Sequence, residues 1–190
     1  MGLKLFKLLY ADLKLIAMFK SLNVNVVTLL KSSLSPSFIC TFIYRLAHFF
    51  YCLNIPLLPR IIWWLNFLFF KVDIDQRAKL YGALYFPHPM MIVIGRSVQL
   101  SGSIKIMQGV TLGGNLGKKI ITENGNKVEQ PILKGNIFIG INSCVLGPVT
   151  ICGQVFIASS ALVSKSAEDT IIFGNNKYSE LRDEHKNELL

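Results

Sequence analysis

Aliphatic side chains recur at every sixth residue through the second half of the chain. From Leu133 the positions are Leu133, Ile139, Val145, Ile151, Ile157 and Val163. A second register runs through Ile94, Leu100, Ile106 and Leu112, and a third through Ile74, Leu80, Phe86 and Ile92. Six matches neither the period of a helical face nor the two-residue alternation of a half-buried strand. It fits a solenoid whose turns are triangles of three short sides, one hexad per side, each with one aliphatic stacked inside. The pattern therefore predicts a mainly β fold, a left-handed parallel β-helix over 72–176. Prolines and glycines such as Pro87, Gly95, Gly102 and Gly109 supply its corners.

The rhythm stops between Gly114 and Pro131. The intervening polar stretch, with an Asn-Gly turn signal, reads as a loop over 115–130 extruded from one corner. Beyond Val163 the period fades. The charged tail 177–190 reads as a short helix covering the last coil, whose strand edges would otherwise be unpaired.

Ahead of the repeats, 1–71 shows helical rather than six-residue spacing. Residues 3–20 place Lys4, Lys7, Ala11 and Lys14 on one face, with leucines and phenylalanines on the others. Residues 21–35 read as a connector. Strongly apolar helices follow over 38–52 and 61–71, separated by Pro56 and Pro59. The longest uncharged run there, between Arg45 and Arg60, is 14 residues, too short for a clean transmembrane span. The segment is expected to lie at a membrane interface, with Trp63 and Trp64 at headgroup level, or to bury itself at a subunit contact.

Charge sharpens this division. Residues 1–72 carry eight Lys or Arg against one Asp; the rest of the chain is nearly balanced, within a net +9 overall. A basic, greasy front points to an anionic membrane surface and away from nucleic acid, for which no motif is present. The four cysteines show no CxxC pair and no metal spacing with histidine, so no metal is expected. No secretory leader is recognised. The expected location is cytoplasmic, peripheral on the inner face of the cytoplasmic membrane.

One histidine lies in the repeat region: His88, between Pro87 and Pro89. Asp73 stands fifteen residues earlier, close to one eighteen-residue turn. A carboxylate there would accept the Nδ1 proton and leave Nε2 free as a base.

Several motifs resemble the serine acetyltransferase branch of the hexapeptide-repeat acyltransferases. They are Val72-Asp73-Ile74, Tyr85 to Gly95, Met107 to Gly114, Ile139-Gly140 and Val145 to Ile151. Tyr44-Arg45-Leu46-Ala47-His48 resembles the helix that precedes the coil in that branch. The resemblance implies acetyl-CoA as donor and a homotrimer with active sites between subunits. It makes His88 the catalytic base and Asp73 its partner. It places the cofactor along Gly113, Gly114, Ile141 and Ser159, with Lys177 near a CoA phosphate. Three positions depart from it. Pro87 replaces an aspartate that helps hold the serine amine. Glu129 and Gln130 replace the Arg-His pair that reads the serine carboxylate, and a Glu there repels a carboxylate. Base and donor machinery without the amino-acid reader resembles sugar O-acetyltransferases of surface-polysaccharide synthesis. The expected function is acetyl transfer to a sugar hydroxyl, with Pro87, Glu129 and Gln130 at the acceptor. Serine O-acetylation for cysteine synthesis is the alternative, and a non-catalytic scaffold subunit the third reading.

Overall fold

The computed structural model describes residues 2–20, 23–121, 127–174 and 177–180. Four helices lead: α1 (Gly2–Phe19), α2 (Val26–Ser33), α3 (Pro36–Cys52) and α4 (Leu58–Phe70). A parallel-strand region follows from Asp73. The connector expected over 21–35 thus contains a helix. Asn25 and Thr28 form a reciprocal capping box, each side chain accepting the other's backbone N–H, and this starts α2 within a polar stretch. Ser35 caps α3 and Pro36 opens its first turn.

The strands repeat at the interval that the hexads set. Ile132–Ile139 pairs in parallel, residue for residue, with Thr150–Ile157, eighteen positions on. The same strand pairs with Gln99–Ile106, thirty-three positions earlier. The excess over eighteen is the extruded loop. Another side of the stack orders Asp73–Ile74, Val93–Ile94, Thr111–Gly113, Cys144–Leu146 and Leu162–Val163, all parallel. Leu133, Ile139, Val145, Ile151, Ile157 and Val163 are all fully buried, and the two lower registers nearly so. They form the core, aliphatic on aliphatic through successive coils.

Two corners recur vertically. At one, Gly82, Gly102, Gly135 and Gly153 stack so closely that a Cβ on Gly135 would lie 2.1 Å from the Gly153 carbonyl oxygen. The φ of +122° at Gly135 excludes other residues as well. At the other corner Lys71, Met91, Gly109, Asn142 and Ser160 all take left-handed φ. Each amide from Met91 upward bonds to a carbonyl of the turn beneath, as Ser160 N does to Ile141 O at 2.7 Å.

The first coil has no strand beneath it, and helix side chains satisfy its free edge. The carbonyls of Gln76, Ala78, Leu80 and Gly82 alternate along that edge. His48 Nδ1–H donates to Gln76 O (2.8 Å) and Tyr44 Oη to Ala78 O (2.7 Å). Arg45 donates through Nη1 to Leu80 O and through Nη2 to Gly82 O (2.7 Å). Burial pushes the Tyr44 hydroxyl up and the His48 imidazole down, which keeps both neutral as donors. Arg45 also pairs bidentately with Asp12 of α1, both contacts at 3.0 Å, with both side chains essentially buried. Asp12 Oδ1 accepts Leu84 N–H at 2.8 Å.

At the far end, Lys177–Glu180 forms a strand antiparallel to Thr170–Phe173. Where a helix is expected from residue 177, these four residues form the second strand of a hairpin. The rest of the expected tail helix lies outside the described residues. The loop 115–130 contains a short hairpin of Ile120–Ile121 against Lys127–Val128. Among the described residues no single helix is long and apolar enough to cross a membrane.

Replacing Asp12 with Ala strands a buried guanidinium and is expected to cost about 3–5 kcal/mol in urea unfolding. The double change Asp12→Leu, Arg45→Met should recover only part of this, because Leu80 and Gly82 then lose their donors. A single-variant loss below about 1 kcal/mol would mean the pair is solvated.

Candidate active site

His88 sits on the left-handed corner of the first coil, in the run Phe86 to Met91. Phe86 and Pro89 are buried and anchor the turn, while His88 is exposed. Met90 N–H closes the turn on His88 O at 2.8 Å. Asp73 opens the strand that pairs with Val93, five residues beyond His88 and past the corner at Met91. No hydrogen bond joins His88 to Asp73 in the single chain. Asp73 Oδ1 instead accepts Trp63 Nε1–H at 2.9 Å. Trp63, expected at headgroup level, is turned half inward by this bond, and Trp64 is the exposed one of the pair. Nothing in the sequence couples Trp63 to Asp73, ten residues on, because α4 and a chain reversal separate them.

A groove of about 300 Å³ lies along the same corner, walled by Phe69, Phe70, Met90, Met91, Gln108 and Asn142 among others. Its lining is mostly apolar. Gln108 Oε1 is buried there with no hydrogen-bond partner. Sequence reading passed over Gln108, although it lies inside the Met107–Gly114 motif. Ile141 and Ser159 continue this corner upward, one turn apart.

Gly113 and Gly114 do not join them. Gly113 stacks beside Leu146 at the opposite end of the Thr111–Gly113 side, where Gly147 N–H bonds to its carbonyl at 2.9 Å. Gly114 faces the base of the loop, close to Glu129 and Gln130. Gln130 Oε1 accepts Ser97 N–H at 2.8 Å, and its amide lies directly over Gly95, where a Cβ would be 2.5 Å away. Gln130 therefore pins the loop to the coil. Glu129 pairs with Lys127 at 2.5 Å, and that bond holds its carboxyl below the usual range. It stays ionised at neutral pH, beside a cavity of about 180 Å³ that Lys79, Arg96 and Lys127 also line. Lys177 lies in the terminal hairpin, exposed. The predicted residues thus form two groups: Asp73, His88, Ile141 and Ser159 on one corner, and Gly113, Gly114, Glu129 and Gln130 at another. Pro87, half-buried, belongs to the first. Among the described residues no cluster of three His, Cys, Asp or Glu could hold a metal.

A soft corner groove beside an exposed imidazole suits transfer of an acyl group from a slender carrier, and the chain's likenesses are to enzymes of that class. Within the class they are to serine acetyltransferases. No protein-family model matches the chain. The serine acetyltransferase of Synechococcus elongatus is 33% identical over 128 residues, 67% of this chain and 50% of that protein. That of Bacillus pumilus is 31% identical over 126 residues, 66% and 55% respectively. The chain spans about half the length of the curated relatives it matches. The Neisseria gonorrhoeae serine acetyltransferase, solved in complex with serine, superposes with a TM-score of 0.76 at 25% identity, covering 92% of this chain and 68% of that one. A serine acetyltransferase solved in complex with CoA shares the fold at 20% identity, TM-score 0.74, over 93% and 69%. These structures carry the same order, helices and then parallel strands.

Gln108→Leu, nearly isosteric, removes an unpaired buried carbonyl. It is expected to leave stability unchanged or raise it by about 1 kcal/mol, since an unmade buried bond costs about 1–3 kcal/mol. A drop of more than about 1 kcal/mol in urea unfolding would mean that the carbonyl is bonded in solution.

Proposed function

We propose that the chain is an acetyl-CoA-dependent O-acetyltransferase that works by direct transfer with His88 as general base. The observation that carries this reading is the exposed His88, two residues before Met90, which walls the apolar corner groove. The groove's residues fit a pantetheine arm: apolar walls suit its methylenes, and Gln108 Oε1 would accept one of its amide N–H groups. The donor supplies an acetyl thioester. His88 Nε2 takes the proton of an acceptor hydroxyl as that oxygen attacks the thioester carbonyl. The C–S bond then breaks, and the imidazolium returns its proton to the departing thiolate. Asp73, whose carboxylate holds Trp63 in the single chain, would orient the ring through its second oxygen.

The parallel coils are read as a left-handed β-helix over 72–176, with 1–71 as a helical front. The two residue groups stand at opposite ends of one side of the coil. A homotrimer that sets the loop corner of one copy against the His88 corner of the next would complete three equivalent sites. Residues Gly113, Gly114, Glu129 and Gln130 would then face His88 from the neighbour.

For the acceptor, likeness to serine acetyltransferases supports L-serine ahead of a sugar. One specific observation favours the sugar hydroxyl: Glu129 stands where the resemblance puts the arginine that reads the serine carboxylate, and it already engages Lys127 of the cavity that Lys79 and Arg96 also line. Thiol release from acetyl-CoA, with L-serine and with sugar acceptors in parallel, separates the two. Turnover of L-serine alone removes the sugar reading, and turnover of a sugar alone removes the serine one. His88→Ala should lower the rate about 10²–10⁴-fold without unfolding an exposed position. An unchanged rate would assign the base elsewhere, and no rate above background in the unaltered chain would leave it as a scaffold. Glu129→Arg should raise kcat/KM for L-serine about tenfold or more if serine binds there. No gain would place the acceptor carboxylate away from residue 129.

A further inference from the structure

Among the described residues nothing covers the outer face of α4. Leu57, Ile61, Trp64, Leu65 and Leu68 follow helical spacing on one stripe opposite the buried Ile62 and Asn66. Leu57 is 78% exposed, Ile61 59% and Leu68 58%. Leu57 also holds a φ of +63° just ahead of the helix, with no side-chain cap. A Gly or Asn would accept that backbone more easily, so the position retains a large apolar side chain against local preference.

The charged side chains of α4 and its C-cap, Arg60 and Lys71, are both cations, and the Asp73 carboxylate that follows is tied to Trp63. Asp12 is the sole acidic residue of 1–72, and it is buried against Arg45. The other seven cations of that segment, Arg60 and Lys71 among them, are exposed. Arg60 lies over the Trp63 ring at 4.2 Å, with its guanidinium beside the stripe. A second copy of this helical front would set like charges against each other. A surface that is apolar within and negative at its margin complements both features. We propose that this face docks the protein in the plane of an anionic phospholipid bilayer. The 13-residue α4 is about 20 Å long, short of the roughly 30 Å hydrocarbon core, so it lies along the interface and does not span it.

The docking goes beyond acetyl transfer and does not depend on it. It also fixes an orientation. Trp63, next to the lipid-facing Trp64, is hydrogen-bonded to Asp73. The bilayer therefore lies about one helix diameter, roughly 10 Å, from the His88 corner.

The full chain is sedimented with vesicles of phosphatidylcholine alone and with about one-third phosphatidylglycerol. Partition onto the anionic vesicles is expected to exceed that onto the neutral ones at least about tenfold, and to fall as salt is raised. The double variant Ile61→Glu, Leu68→Glu changes only exposed positions. It should keep the wild-type circular dichroism and sedimentation coefficient while losing vesicle binding. Absence of binding to anionic vesicles overturns the proposal, as does binding that the double variant retains. A larger wild-type assembly that the double variant breaks up also overturns it, assigning the face to a second copy.

Discussion

The whole fold rests on how the free edge of the first coil is closed. A parallel coil gains its backbone hydrogen bonds from the coils above and below, so its lowest turn leaves a row of carbonyls without partners. Here the row is Gln76, Ala78, Leu80 and Gly82, and α3 meets it with His48, Tyr44 and Arg45. The neutral imidazole and phenol need only a carbonyl. The guanidinium needs a counter-ion as well, and α1 brings Asp12 for that purpose. One buried ion pair thereby holds two helices and the first coil in a single arrangement. It contributes little net energy for its desolvation cost, and its value is the geometry that it enforces.

The coil itself could be read in the sequence because its period is local. Each hexad places one aliphatic inside whatever the rest of the chain does, and all three registers are buried as their spacing predicts. The extruded loop was legible for the same reason: it is where the period breaks, and the thirty-three-residue interval between paired strands measures its length. The helical front was harder to read. Alternating greasy and basic residues mark helices but not what they pack on, and the Asn25–Thr28 capping box is hidden in a polar run that looks like linker. Asp12 reads as one polar position on an amphipathic helix. Its partner lies thirty-three residues away, and no periodicity links the two.

The site was legible in its residues more than in its arrangement. Asp73 pairs with Val93, twenty residues on, so the first coil is longer than eighteen, and His88 lies five residues short of the position stacked on Asp73. Gly113 and Gly114 are a different case. They lie in an unbroken motif with Gln108, yet the side of the coil between them carries them to the opposite corner, beside Glu129 and Gln130. Distance along a coil and distance across it are unrelated until the corners are placed. Gln130 adds a second lesson. Its position in the motif suggests a ligand contact, but its carbonyl is committed to Ser97 N–H and its amide fills the space over Gly95. That leaves Glu129, tied only to Lys127 and half-exposed, as the residue at the loop base able to meet an acceptor.

These constraints converge on α4. Its inner face is tied to α3 by Asn66, whose Nδ2–H donates to Cys40 O at 3.0 Å. Its Trp63 is tied to Asp73, and its last residues wall the corner groove. Its outer stripe is left uncovered. A helix fixed at three points on one side cannot turn that stripe inward without breaking the contacts that shape the site. The exposed leucines and Trp64 are therefore not a fluctuation that the described fold could relieve, and burying them requires something beyond the described residues. The same rigidity means that whatever covers α4 also sets the distance and angle at which the corner carrying His88 is approached.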